Sequence, residues 1–300
     1  MNKKLGFISL LGTALLFGST GIWIRILSTH LTVYQQIMLR NAAGVVVSLL
    51  VILLNGRLAS LKNKNLPIAA LLALSVTVPL TILFNAIAIL HLKISVATFM
   101  FYAGEILLSY LFGVLIFKER MTRLKIVSLL IAFVGLSCFL YPFSWTLINW
   151  SILWGLAAGG VGAVANIFRK SLSQTIDRLV LVLLGLMGGV VLSGILLVTS
   201  REVTPFTLQL PGYIWVVGIG FGILLVVSNF WMMTGFKNFD LGLGGLVLSA
   251  ELFFATIFGF LFLHETPLPN ELIGGTLIFI AVLLSNEGFL KHRFTPKTSR

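Results

Sequence analysis

Two glutamates lie inside strongly apolar segments. Residues 103–120 read AGEILLSYLFGVLIFKER and contain Glu105, and residues 249–266 read SAELFFATIFGFLFLHET and contain Glu251. A carboxylate inside an apolar segment is typical of a site that binds ions or small solutes or that takes up and releases protons. The two glutamates are therefore the first candidates for a binding or coupling site.

The position of these glutamates is energetically costly. Each lies about ten residues into its apolar segment, which corresponds to roughly 15 Å along a helix and to the middle of a bilayer. A charge at that depth costs about 2.5–3.5 kcal/mol. We therefore expect a water-accessible central cavity that receives one carboxylate from each segment. The structural alternative is that Glu105 and Glu251 are hydrogen-bonded to amides or to Arg40 across a helix interface.

Polar side chains at helical spacing accompany the glutamates. Thr98, Tyr102, Glu105 and Ser109 are separated by four, three and four residues, so they share one helix face. Amides, an arginine and two tryptophans lie in other apolar segments. We predict a substrate-binding or coupling site formed from these residues: Glu105, Glu251, Tyr102, Asn85, Asn166, Asn229, Trp231, Arg40 and Trp23.

Several of these residues also have structural explanations. Buried amides hold helices together, and Arg40 lies nearer a membrane face, where its side chain can reach water. Trp23 and Trp231 are more often packing or interface residues, although an aromatic wall can stack on a flat or cationic substrate. Glu119 and Glu265 each follow the intramembrane glutamate by 14 residues. We predict that they end their helices near opposite membrane faces, as gate elements or as structural ion-pair partners.

The composition indicates an integral membrane protein. Of the 300 residues, 58% are hydrophobic and 10% are charged, whereas a soluble domain carries about 25% charged residues. The net charge of +12 is scattered over short loops, which argues against nucleic-acid binding. The single cysteine, Cys138, has no disulfide partner and no metal-ligand spacing around it, so we expect no metal and no cofactor. The apolar N-terminus lacks a signal-peptide cleavage site and is interpreted as the first span.

Breaks in hydrophobicity predict ten transmembrane helices. They lie near residues 5–27, 33–54, 66–90, 95–117, 124–142, 151–168, 179–199, 211–235, 242–263 and 271–289. With the N-terminus inside, 17 of the 21 Lys and Arg residues fall on the inner side, and only Lys93 and Arg201 fall outside. This asymmetry predicts ten helices with both termini cytoplasmic. Arg169 and Lys170 are counted in a cytoplasmic connection.

An internal repeat divides the chain into two halves. A shift of 146 residues places Glu105 on Glu251 and Glu119 on Glu265, and a shift of 144 places Arg25 on Arg169. Because each half contains an odd number of helices, the second half enters the membrane from the opposite side. The predicted domains are 1–145 and 146–290, each with five helices, followed by a basic cytoplasmic tail at 291–300. Inverted repeats of this kind are a common basis of secondary transporters, with the substrate site near the midplane.

These features together resemble the drug/metabolite transporter superfamily, specifically its EamA-type ten-helix carriers. The resemblance rests on the helix count, the duplication, the Phe17-Gly18-Ser19 motif with a following Trp23, the early arginine of the second span, and the paired glutamate segments. In the family a proline often follows the intramembrane glutamate, but Ile106 and Leu252 occupy those places. Any helix kink that depends on that proline is therefore not expected from this sequence.

The resemblance implies a secondary transporter that exports small metabolites, such as amino acids and related amphipathic solutes, or drugs across the cytoplasmic (inner) membrane. Alternating access with a titratable glutamate would allow coupling to protons. The alternatives are an importer of a similar solute and a channel or sensor subunit. An enzyme is not expected, because the sequence contains no HExxH and no Gly-x-Ser-x-Gly motif. The expected partners are a small-molecule substrate, protons and the lipid bilayer.

Overall fold

The computed structural model describes residues 2–55, 67–92, 94–138, 150–199, 209–264 and 266–285, and these residues are helical or connect helices. The predicted basic tail, 291–300, lies outside them. The helices in chain order are α1 (Lys3–Gly18), α2 (Thr20–Leu27), α3 (Val33–Leu54), α4 (Ile68–His91), α5 (Ile94–Leu115), α6 (Arg123–Cys138), α7 (Ile152–Leu172), α8 (Arg178–Thr199), α9 (Gly212–Asn238), α10 (Leu241–Leu248), α11 (Glu251–Leu263) and α12 (Pro269–Ser285).

Ten helical spans are formed from these twelve helices, because α1 runs into α2 and α10 runs into α11. Among the described residues, eight spans are long and apolar enough to cross a membrane, and α12 is shorter. The helix α6 is also short, with 16 residues, and it ends where the described residues break off. The prediction of an all-helical membrane protein with ten spans is confirmed. The sixth span is longer than predicted, since α7 continues past residue 168 to Leu172.

The backbone repeats between the halves at one unusual position. Among the described non-glycine residues, Lys118 and His264 have a positive φ, of 52° and 54°, and they are 146 residues apart. His264 is the left-handed residue that caps α11, and Lys118 follows α5 and precedes Glu119, whose amide donates to the Gly113 carbonyl at 2.9 Å. A left-handed residue after a helix turns the chain sharply. The repeat in sequence is therefore also a repeat in backbone conformation.

The left-handed backbone at residue 118 leads to a stability prediction. A non-glycine residue in this conformation costs about 1–2 kcal/mol, so we expect Lys118→Gly to unfold at a higher temperature than the wild type. The β-branched variant Lys118→Val should unfold at a lower temperature. Thermal unfolding of both variants in the same detergent measures the difference, and equal midpoints for the glycine and valine variants would contradict the assigned conformation.

The two halves pack closely against each other. The most extensive contacts pair α5 with α7, α4 with α7, α6 with α12, α3 with α8 and α1 with α9, and each of these pairs joins the first half to the second. These contacts follow the repeat. The contact of α4 with α7 corresponds to the contact of α9 with α1, because α9 is the equivalent of α4 and α1 is the equivalent of α7. The halves therefore form one bundle in which the central surfaces come from both.

The helix that carries each glutamate differs between the halves. In the first half, α5 is continuous through Glu105. In the second half, the helix breaks at Ser249 and Ala250, directly before Glu251, and the Ser249 hydroxyl donates to the Leu246 carbonyl at 2.7 Å. A serine bonded back to the preceding turn is a known cause of helix bending. The helix therefore breaks here although Leu252, and not a proline, follows Glu251.

Candidate functional site

A large cavity lies between the halves. Its volume is about 900 Å³, and its lining includes both Glu105 and Glu251. At one end of the bundle the lining reaches the exposed residues Arg25, Ser28 and Ile89, near the ends of α2 and α4. We call this end the opposite face and the end that carries Lys3 the N-terminal face. The cavity is therefore accessible from the opposite face.

Glu105 is held by polar side chains of α7. Its carboxylate accepts a hydrogen bond from the Asn166 amide at 2.7 Å, and the Asn166 carbonyl oxygen accepts one from the Arg169 guanidinium at 2.6 Å. All three side chains are buried, and Glu105 is only 4% exposed. Asn166 and Arg169 share a face of α7 because they are three residues apart. The carboxylate is thus linked to a cation through an amide, as the structural alternative for this glutamate anticipated.

Glu251 is held from the other half. The Tyr102 hydroxyl, on α5, donates to the Glu251 carboxylate at 2.6 Å. Glu251 is also the first residue of α11, where the helix dipole favours a negative charge. This hydrogen bond, like the one from Asn166 to Glu105, therefore joins the two halves at the cavity.

Arg40 lies in the cavity lining but does not pair with either glutamate. Its guanidinium carbon is 4.8 Å from the centre of the Phe221 ring, and its Nε atom has no hydrogen-bond partner. Asn85 and Asn229 also line the cavity. The Asn85 side-chain oxygen has no hydrogen-bond partner, whereas the Asn229 amide donates to the Leu225 carbonyl at 2.9 Å.

The two tryptophans are not among the residues that line the cavity. Trp23 packs on Phe221, with ring centres 5.9 Å apart and planes at 27°. Trp231 lies against Gly12 of α1 and is 41% exposed. In the cavity lining, the aromatic ring that packs against a cation is therefore that of Phe221, and the cation is the guanidinium of Arg40.

The N-terminal face is closed by buried ion pairs. The Lys170 ammonium donates to the Glu119 carboxylate at 2.6 Å and to the Phe239 carbonyl at 2.9 Å. Glu119 also accepts the backbone amide of Leu241 at 2.6 Å. These bonds tie the end of α5 to the end of α7 and to the start of α10. Glu265, its counterpart in the second half, lies outside the described residues.

Asp240 forms a second ionic contact at this face. Its carboxylate is 2.9 Å from the Lys125 ammonium and 3.9 Å from that of Lys3. Burial alone would raise the pKa of Asp240, but the hydrogen bond and charge of Lys125, with the charges of Lys3 and Lys170, hold the pKa below its ordinary value of 3.8. Asp240 is therefore ionised at neutral pH and helps to close the N-terminal face.

The lowered pKa of Asp240 predicts a specific pH dependence. A carboxyl group whose pKa is lower in the folded state stabilises that state above the unfolded pKa, near 4, and loses this contribution as the pH falls through the folded value. We expect wild type to be more stable than Asp240→Asn at pH 7, with the difference shrinking below about pH 4. Unfolding midpoints measured from pH 7 to pH 3 test this, and a difference independent of pH would contradict it.

The sequence matches one protein family over both halves. The match to the EamA-like transporter family covers residues 4–141 and 149–287. The chain belongs to the EamA-like transporter family. It is accordingly a multi-pass membrane protein that functions in transport and not an enzyme. One crystal structure of a protein is similar over 99% of this chain and 100% of its own, with a TM-score of 0.75 and 15% identity, which shows a shared fold. No match to a curated protein is found.

Two residues of this EamA-like transporter's site were not predicted from sequence. Arg169 and Lys170 were assigned to a cytoplasmic connection, but both are buried in the last turn of α7. Arg169 lines the cavity, and Lys170 closes the N-terminal face through Glu119. The spacing of three residues between Asn166 and Arg169, and the repeat partner of Arg169 at Arg25, are the signals that point to Arg169.

Proposed function

We propose that this EamA-like transporter is a secondary carrier that exports small amphipathic solutes, of the amino-acid type, by alternating access. The observation that carries the proposal is a cavity of about 900 Å³ that contains a carboxylate from each half. It is reached from the opposite face, while ion pairs close the N-terminal face. A site accessible from one side at a time is what a carrier needs and what an open channel lacks.

The size and chemistry of the cavity support a small amphipathic solute. Binding sites for small molecules commonly measure about 300–1,000 Å³ and are mostly apolar with a few polar groups. The lining here follows this pattern, with Phe101, Met232 and Phe258 beside Glu251 and Arg40. Charges of both signs in one cavity suit a solute that carries both an amino and an acid group.

The orientation of the protein determines which conformational change export requires. The N-terminal face carries Lys3, Lys125 and Lys170, and cytoplasmic ends of membrane proteins are rich in lysine and arginine. The N-terminal face is thus the cytoplasmic face under this proposal, and the conformation described here is open to the outside. Export from the cytoplasm requires a second conformation in which the ion pairs of Glu119 and Asp240 separate.

Exchange of protons for substrate is the coupling that the glutamates support. Tyr102 donates to Glu251 and Asn166 donates to Glu105, and either carboxyl group can accept such a bond when ionised or protonated. Substrate and proton would then compete for the same carboxylates. Uptake into proteoliposomes under an imposed pH gradient tests this. A flux that does not change with the gradient would exclude coupling to protons, and facilitated exchange would remain.

A counterflow experiment separates a carrier from a channel. Proteoliposomes loaded with an unlabelled amino acid should accumulate the labelled form transiently, because a carrier exchanges solutes one for one. Flux should also saturate with concentration. Linear flux that unlabelled solute on the far side does not stimulate would contradict the carrier and favour a channel.

A further inference from the structure

The charged side chains of the cavity are not equally partnered. Glu105 accepts from Asn166, Glu251 accepts from Tyr102, and Arg169 donates to Asn166. Arg25, at the exposed end, has an interaction of its own. Arg40 is different, since its contact in the described structure is the Phe221 ring, and its Nε atom is buried without a hydrogen bond.

The Arg40 side chain is half-buried, and its Nε atom is the part that is buried without a hydrogen bond. Arginine stays protonated in proteins, so Arg40 cannot avoid the cost of this burial by losing its charge. Buried charges are normally paired, because an unpaired ion loses much of its hydration without compensation. The Phe221 ring supplies only part of the compensation.

The geometry around Arg40 favours a planar anionic group. A guanidinium presents a rigid fork of donors that matches the two oxygens of a carboxylate. The Phe221 ring and the close approach of Gly222 to the Arg40 backbone fix the position of this residue on α3. Apolar side chains such as Met232 and Phe258 line other parts of the same cavity.

We infer that Arg40 is the subsite for the carboxylate of the substrate, so that an acid group on an apolar body is required for binding while an amino group is not. This deepens the proposed function by naming the required group, and it rests on that function only for the claim that the bound acid is transported. The two glutamates then interact with a cationic group where the substrate also carries one, but that group is not required for binding.

A matched series of three probes tests the requirement in the unmodified protein. Phenylalanine carries both charged groups, 3-phenylpropanoate carries only the carboxylate, and 2-phenylethylammonium carries only the cation. Calorimetric titration of the full chain in detergent at pH 7 should give binding of the first two, with the amine weaker by roughly 10- to 100-fold, as expected for loss of a charge-assisted pair. An amine that binds as tightly as the acid would overturn the inference.

Variants of Arg40 assign the effect to this residue. Arg40→Gln should weaken binding of 3-phenylpropanoate by roughly 10- to 100-fold, and Arg40→Lys should weaken it less because the charge remains. The matched control is Arg178→Gln, since Arg178 also lies 4.8 Å from a phenylalanine ring, that of Phe230, but donates to Thr234 and is not a lining residue. If Arg40→Gln binds the acid like the control variant, the assignment fails.

The results also separate this inference from the proposed function. Binding of the acid that depends on Arg40, without counterflow in proteoliposomes, would keep the subsite and reject the carrier. Counterflow of 3-phenylpropanoate at the wild-type rate in Arg40→Gln would keep the carrier and reject the subsite. If Arg40→Gln does not fold, the ranking of the three probes in the unmodified protein still decides.

Discussion

Gly159→Leu should prevent this transporter from folding. Gly159 lies on α7 where it meets α5, and a side chain there would collide with the Phe101 carbonyl oxygen and the Glu105 amide nitrogen. These obstacles are backbone atoms, so no side chain can turn aside, and the helices would have to separate. Overpacking costs about 1–3 kcal/mol or more, and here we expect a cost at or above the upper end. The yield of monodisperse protein and its unfolding midpoint measure the effect.

The matched control for this variant is Gly194→Leu. Gly194 is also a helical glycine, on α8, but a side chain there would meet no atom within 4 Å. The control should be produced at the wild-type level with an unchanged midpoint. Equal behaviour of the two variants would contradict the close packing of α5 on α7, and with it the placement of Glu105 beside Asn166.

The second large effect is on transport rather than on folding. Glu105→Gln and Glu251→Gln keep the shape of each side chain, and the new amide oxygen can still accept from Asn166 or Tyr102. We therefore expect both variants to insert and fold normally. Without a carboxylate to exchange protons or bind a cationic group, transport should fall by roughly 10- to 100-fold, the range expected when a charged partner is lost.

Glu271→Gln is the control for these two variants. Glu271 lies in the first turn of the last helix and accepts the backbone amide of Leu268 at 3.0 Å, a role that glutamine can also fill. Glu271 is not a lining residue of the cavity. Counterflow by this control should match the wild type. Full activity of both cavity variants would remove the glutamates from the mechanism and leave them as structural residues.

Sequence periodicity predicted the fold well, because the bilayer permits few alternatives. An apolar segment of about 20 residues must be helical where lipid surrounds it, so ten such segments give ten spans. The two glutamates stood out for the same reason, since a charge in lipid needs an explanation. The repeat of 146 residues was also visible in the sequence. The structure shows the same repeat in the left-handed backbone of Lys118 and His264.

The partners of the site residues were not predictable in the same way. Lys170 contacts Glu119, which is 51 residues away, and Tyr102 contacts Glu251, which is 149 residues away. Such pairs depend on how helices rotate and tilt, which periodicity does not fix. Counting every terminal lysine and arginine as a loop residue hid Arg169, because a basic residue in the last turn of a helix looks the same in sequence whether it faces water or the bundle.

Tryptophan was a poor guide to the cavity. Trp23 and Trp231 were singled out for the size and chemistry of their rings, yet Trp23 packs behind Phe221 and Trp231 fills the space beside Gly12. Phenylalanine is so frequent in this chain, with 24 residues, that composition could not distinguish Phe221 from the others. Only the position of Arg40 over its ring does so.

The proposed mechanism requires that the cavity between the halves is reached from one face at a time. Thiol labelling with a membrane-impermeant reagent tests it most directly, after Cys138→Ser removes the single cysteine. Thr98→Cys and Ala255→Cys place thiols in the cavity lining, one in each half. Leu107→Cys places a thiol on the outer surface of α5, where Leu107 is 51% exposed, and serves as the lipid-facing control.

We predict that the two cavity thiols react faster with reagent added at the opposite face than with reagent added at the N-terminal face. Adding Glu119→Gln, which weakens the pair with Lys170, should raise the rate of reaction from the N-terminal face. The Leu107→Cys thiol should react from neither face. Cavity thiols that are unreactive from both faces, or that react no faster than the control at residue 107, would contradict the account.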